Sequence, residues 1–220
     1  MSFTIKVLLS QLYSYAVPRK LTDRDYSEAV NIQKHKNRNP NKKNRRPFTS
    51  AEISKIKALD STDVAKSVLM LIYSGLRIGE FTNLKKENCH LEDRYIDIIA
   101  SKTENGIRKV PIAEKTYSYW KYFYDKSGSD YLLSMDGRSF NGSKGYTSYK
   151  DTYWQPLMET LEFGKRDIHE TRHTCSTLLG EAEIYPAKIN RILGHTGKTT
   201  AENVYTHLNI RELIEAINKI

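Results

Sequence analysis

Apolar residues recur at helical spacing through most of this chain and at strand spacing over one short stretch. Ile5, Leu8, Leu9, Leu12 and Tyr15 form a stripe that predicts a helix from Ile5 to Ala16. The next thirty residues are too polar to cover it. The stripe is therefore expected either to end a domain whose earlier part is missing or to dock on the domain that follows. That domain opens at Phe48-Thr49-Ser50-Ala51-Glu52-Ile53, with Thr49 as helix cap, Glu52 completing a capping box and Phe48 meeting Ile53. The helix runs to about Leu59. A second, Asp63 to Tyr73, turns Val64, Val68, Leu71 and Ile72 to one side and ends at Gly75, and Leu76-Arg77-Ile78-Gly79-Glu80 opens a further short helix. Arg77, flanked by Leu and Ile, needs a partner there.

Tyr95 to Lys102 and Ile107 to Ile112 read as strands, and the Asn105-Gly106 pair between them favours a hairpin turn, since both residues tolerate positive φ. Glu114 to Asp125 is helical with Tyr117, Trp120 and Tyr124 in register, residues 134–145 are loop by composition, and Tyr149, Tyr153, Leu157 and Leu161 restore the helical period before Gly164. Asp167 and Glu170 repeat the capping pattern, placing His169 and Arg172 on one face of a helix that continues through Cys175, Leu178 and Leu179. Pro186 suits the first position of a helix stopping at Gly194. Asn209 caps a last stripe of Leu213, Ile214, Ile217 and Ile220. The fold class expected is mainly α with a small antiparallel β-sheet (α+β).

Composition changes this picture in one place. The 220 residues carry a net charge of +9, yet residues 1–47 hold 11 basic and 3 acidic side chains while the remainder is nearly balanced. Lys34, Lys36, Arg38, Lys42, Lys43, Arg45 and Arg46 fall in a run with no acid, which cannot bury a core and suits an extended linker tracking phosphates. The division expected is 1–33 as a remnant helix, 34–47 as a basic interdomain linker and 48–220 as the main domain. Cys89 and Cys175 show no disulfide framework, and no apolar run approaches a membrane span, so a cytosolic protein is expected. No carboxylate cluster has metal-ligand spacing, which argues against a metal nuclease.

Taken singly, Arg77, Lys102, His169, Arg172, His195 and Tyr205 have ordinary readings as ion pairs, caps or packing. Their order is more informative. SGLRIGE, a lysine at a hairpin, HETRH, LGHTG and then Tyr205 resemble the tyrosine recombinases, the phage and transposon integrases, over roughly residues 48–220. The resemblance implies their catalytic-domain fold and site-specific cleavage and rejoining of DNA through a 3′-phosphotyrosine on Tyr205, with no cofactor and no metal. Arg77 and Arg172 would clamp the non-bridging oxygens, His195 would add a hydrogen bond, Lys102 would protonate the leaving 5′-oxygen and His169 would act at the tyrosine proton. Glu80 and His173 fit as supports, and Arg108 and Lys109 could serve a neighbouring phosphate. The implied partners are double-stranded DNA attachment sites, a homotetramer on DNA that exchanges C-terminal helices, and an accessory excision factor, in a bacterial cytoplasm without a membrane. The resemblance leaves open a DNA-binding remnant without turnover, and strand relaxation of the type IB topoisomerase kind. Only one helix precedes the linker, short of the complete core-binding domain of such enzymes.

Overall fold

A computed structural model of the protein describes residues 3–29, 45–99, 106–195 and 209–220. The chain divides into two units, 1–44 and 45–220. In the first, helix α1 (Phe3–Ala16) runs into a single 3-10 turn at Val17–Arg19, where Pro18 fixes the backbone. Ser10 and Ser27 share a 2.7 Å hydrogen bond and Tyr13 meets Tyr26, but Ile5, Leu8, Leu12 and Tyr15 are exposed. Within its own unit the stripe expected to pack is thus left largely uncovered by the described residues.

The second unit begins with α2 (Ser50–Lys57), where both halves of the expected capping box form: Thr49 accepts from the Glu52 amide and Glu52 from the Thr49 amide. Phe48 is buried edge-on to Trp154, with Arg166 stacked 3.9 Å above its ring. Helix α3 (Asp63–Ser74) was expected to bury one side. Leu69 and Met70 are buried as well as Val68, Leu71 and Ile72, so α3 is the central helix, covered nearly all round. Each such aliphatic side chain contributes about 1.5–3 kcal/mol by leaving water. Gly75 ends α3 at φ +64°, and a Cβ there would overlap Leu193 Cδ2 and press on Cys175. Only glycine allows both that conformation and that approach. The short α4 (Ile78–Thr82) follows.

A three-stranded antiparallel sheet comes next: β1 (Cys89–His90), β2 (Tyr95–Ile98) and β3 (Arg108–Pro111), in the order β1-β2-β3. Ile96 faces Val110 and Ile98 faces Arg108 on the buried side, while Asp97 and Lys109 pair at 3.2 Å on the outer one. The turn expected at Asn105-Gly106 begins outside the described residues. A 3-10 turn at Glu114–Thr116 leads into α5 (Tyr117–Lys126), which buries Trp120 and Phe123. The stretch read as loop holds a small hairpin, β4 (Ser134–Met135) with β5 (Arg138–Ser139), because Met135 and Phe140 are buried and anchor it. Helices α6 (Gly145–Tyr149) and α7 (Gln155–Thr160) are joined through a π-helical stretch, Lys150–Trp154.

Helices α8 (His169–Glu181), α9 (Pro186–Leu193) and α10 (Ile210–Ile217) enclose a second cluster containing Cys175, Leu179, Ile192, Leu193, Leu213 and Ile217. Asn209 caps α10 as expected, and the helix folds onto its own domain, where Asn218 accepts from the Glu114 amide at 2.8 Å. Both cysteines are buried and unpaired, and burial pushes each thiol up to about 12. No described helix is long and apolar enough to cross a membrane.

Candidate active site

The fold brings Arg77, Arg172 and His195 to one place, the C-terminal turn of α9. The last carbonyls of a helix lack intrahelical donors and carry its partial negative charge. Here three guanidiniums take three successive ones: Arg108 Nε donates to the Ile192 carbonyl at 2.8 Å, Arg172 Nη2 to Leu193, and Arg77 Nη2 to Gly194 at 3.1 Å. Gly194 adopts φ +65°, which turns the chain so that the His195 amide donates back to the Asn190 carbonyl at 3.0 Å. His195 therefore leaves the helix on a turn held by arginines from three other elements.

Each arginine has a second anchor. Arg172, buried on α8, donates Nη1 to the Gly75 carbonyl at 2.7 Å and so ties α8 to the end of α3. Arg77 finds the partner its apolar neighbours demanded in Glu80, which accepts from its Nη1 at 2.6 Å and its amide at 2.9 Å. The same carboxylate accepts from Arg108 Nη1 and Nη2 at 3.1 and 3.0 Å. Burial raises the Glu80 carboxyl, but Arg108 and Arg77 outweigh it and the net displacement is downward. Two of the three guanidiniums thus share this one carboxylate, while Arg172 donates to backbone carbonyls. The surplus positive charge suits a bound phosphate, which guanidinium recognises through paired donors.

Desolvation of its inner side, followed by the charges of Arg172, Arg77 and Arg108, holds His195 down to about 4. His169, half-buried at the start of α8, is also lowered by desolvation, with Arg45, His173 and Arg172 adding to it. Both imidazoles are therefore neutral at pH 7 and each keeps a lone pair. His173 lies one turn on from His169, ring centroids 5.1 Å apart. Burial also brings Arg172 down to about 10, which leaves it charged at neutral pH.

Two sequence expectations change. Asp167 is not the cap of a box with Glu170: α8 starts one residue later, Asp167 Oδ1 accepts from the His169 amide at 3.0 Å, and Glu170 is buried against Arg166 at 3.0 Å. Arg108 does not offer itself to a phosphate. Its side chain is wholly buried, and the signal was strand alternation, which puts Arg108 on the face of Val110 and Lys109 outside. Lys109 itself is engaged by Asp97 and lies 3.8 Å over the Tyr95 ring. Of the basic run, Arg45 pairs with Asp167 at 3.5 Å beside His169, and Arg46 makes a two-point contact with Glu52 at 3.0 and 2.8 Å. Lys34, Lys36, Arg38, Lys42, Lys43, Lys102 and Tyr205 lie outside the described residues.

Comparison with known proteins bears on the family and the fold. The sequence model of the phage integrase family matches residues 46–212. The transposase of transposon Tn916 from Enterococcus faecalis is 27% identical over 167 residues, covering 64% of this chain and 41% of the transposase. The chain thus spans about two-fifths of that relative's length. Tyrosine recombinase XerA of Pyrococcus horikoshii is 27% identical over 201 residues, covering 87% of this chain and 68% of XerA. Among solved structures, the Tn1549 transposon integrase in complex with circular intermediate DNA superimposes with a TM-score of 0.69 at 20% identity, over 95% of this chain and 77% of the integrase. That likeness establishes the fold: mostly helical, with a small antiparallel sheet.

Proposed function

Because this chain belongs to the phage integrase family, we propose that its 45–220 unit cleaves and rejoins DNA at specific sites through a 3′-phosphotyrosine on Tyr205. The observation that carries the reading is the meeting of Arg77 and Arg172 on adjacent carbonyls of the turn that presents His195. Two guanidiniums fixed side by side are a ready receptor for the non-bridging oxygens of a phosphodiester, where charge grows in the transition state.

The hydroxyl oxygen of Tyr205 attacks phosphorus and the bond from phosphorus to the 5′-oxygen breaks. One phosphodiester is replaced by a phosphotyrosyl ester and a 5′-hydroxyl, so the linkage energy is retained and neither ATP nor metal enters the balance. His169, neutral at pH 7, accepts the tyrosine proton, and Lys102 donates one to the departing oxygen. The 5′-hydroxyl of a second DNA end then attacks the phosphotyrosine and gives its proton back to Lys102, the bond from phosphorus to the tyrosine oxygen breaks, and His169 returns its proton to Tyr205. His195 donates an N–H to the phosphate throughout. The roles of Lys102 and Tyr205 rest on the resemblance of their local sequences.

In the same reading residues 34–47 run along DNA phosphates, and α1 belongs to a core-binding domain. The partner is a double-stranded attachment site, bound by four protomers that exchange α10, with an accessory factor assisting excision. Exchange would have to release Leu213, Ala216 and Ile217 from their own domain. Native mass spectrometry on attachment-site DNA is expected to show four protomers, fewer after deletion of residues 211–220. Unchanged assembly of the shortened, folded chain would remove the exchange.

Incubation with a nicked suicide substrate and EDTA tests the chemistry. A covalent protein–DNA band that vanishes in Tyr205→Phe is expected. A band that persists in that variant would contradict the reading. Binding without any adduct would favour a DNA-binding remnant, and relaxation of plasmids lacking a site would favour topoisomerase activity.

A further inference from the structure

The reaction outlined above gives Arg108 no part, yet three pieces of the site meet at its side chain. Arg108 Nε donates to the Ile192 carbonyl at 2.8 Å, in the last turn before His195. Nη1 donates to the Gly106 carbonyl at 2.8 Å, on the residue that follows 100–105 in the chain. Nη1 and Nη2 together reach the Glu80 carboxylate, which in turn holds Arg77 by its side chain and its amide. Gly194 completes the fit: a Cβ there would stand 2.9 Å from Cδ, Nε and Nη1 of Arg108.

We infer that Arg108 is a positioning residue, whose guanidinium locks the turn presenting His195, the carboxylate that aims Arg77 and the base of the β2–β3 connection into one unit. Its side chain has no exposure, and Nε, Nη1 and Nη2 are all committed to protein acceptors, so it is built to hold the site together rather than to bind a phosphate. Burying an arginine on a strand face otherwise given to Ile96, Ile98 and Val110 is costly, and the cost is offset only where its donors are matched. A lysine carries the charge but not the planar fork, so it cannot serve two carbonyls and a carboxylate together. What is positioned rests on the phosphotyrosine reading; the geometry does not.

The test uses the full chain and two variants, Arg108→Lys and Arg108→Met. In the wild-type protein, the Arg108 Nε–H should give a resolved NMR signal that exchanges slowly with water. Fast exchange would overturn the inference without any variant, so it stays decidable even if both variants fail to fold. For folded Arg108→Lys, adduct formation at saturating DNA is expected to fall by about 10²-fold, the scale of a small misplacement of reacting groups, with DNA affinity unchanged. In Arg108→Met the His195 titration should also rise from about 4 toward the ordinary 6.5, since desolvation and the charges of Arg172, Arg77, Arg108 and His169 together hold it down. A lysine variant with wild-type adduct rate would leave only an electrostatic role, and an unchanged His195 signal and titration in both variants would sink the proposal. If the wild type itself forms no adduct, the chemical reading fails, while Nε–H exchange and the His195 titration still decide the role of Arg108.

Discussion

Replacing Arg172 with lysine is expected to slow covalent adduct formation by about 10²–10³-fold, the loss typical when one preorganised donor to a developing oxyanion is removed. Arg172 holds its place by donating to Gly75 and Leu193 from opposite sides, which fixes the plane of the guanidinium before any DNA arrives. A lysine keeps the charge but loses that plane, and one of the two carbonyls, both buried, goes unsatisfied. The accompanying loss of stability should be about 1–3 kcal/mol, small enough for the variant to fold and bind DNA. Single-turnover cleavage at saturating DNA separates the two effects. A rate within a few-fold of wild type would mean that Arg172 only braces α8 against α3 and α9.

The second large effect is on stability. Glu80→Ala leaves the Arg108 guanidinium, which has no solvent exposure, without a counter-charge, and removing one member of such a buried pair costs about 3–5 kcal/mol. Urea unfolding at pH 7 measures it. The exposed Lys85–Glu87 pair supplies the contrast, since Glu87→Ala should change stability by less than about 1 kcal/mol. The carboxyl of Glu80 is lowered from 4.5, so the wild-type contribution is fully present above that value and is lost as pH falls through the lower folded-state value. The Glu80→Ala protein should therefore show a shallower loss of stability on acidification. Equal pH dependence in both proteins would mean that the ion pair adds nothing to folding.

Much of this was legible in the sequence because local chemistry leaves local marks. Thr49 and Glu52 announced α2, Gly75 and Gly194 marked helix ends whose positive φ only the backbone of glycine takes easily, and Asn209 marked α10. That Arg77 needs a partner followed from its apolar neighbours Leu76 and Ile78, and the structure supplies Glu80 in that place. What was not legible is long-range. That the three arginines share the end of α9 depends on contacts spanning 21 to 117 residues, which no local pattern records. The hairpin of β4 and β5 was hidden because its strands are two residues long and its composition is that of a loop. Arg108 was misread for a simpler reason. Its charge suggested an outward position, while the pairing of Ile98 with Arg108 turns it inward and leaves Ile107 exposed.

The central claim is that Tyr205 is the nucleophile, and the most direct measurement is the identity of the residue that carries DNA. Cleavage after Lys198 and Arg211 releases residues 199–211, which contain a single tyrosine. After a suicide-substrate reaction and nuclease trimming, tandem mass spectrometry of this peptide should find the nucleotide joined through its 3′-phosphate to Tyr205. A nucleotide on any other residue, or a 5′-phosphate linkage, would contradict the account.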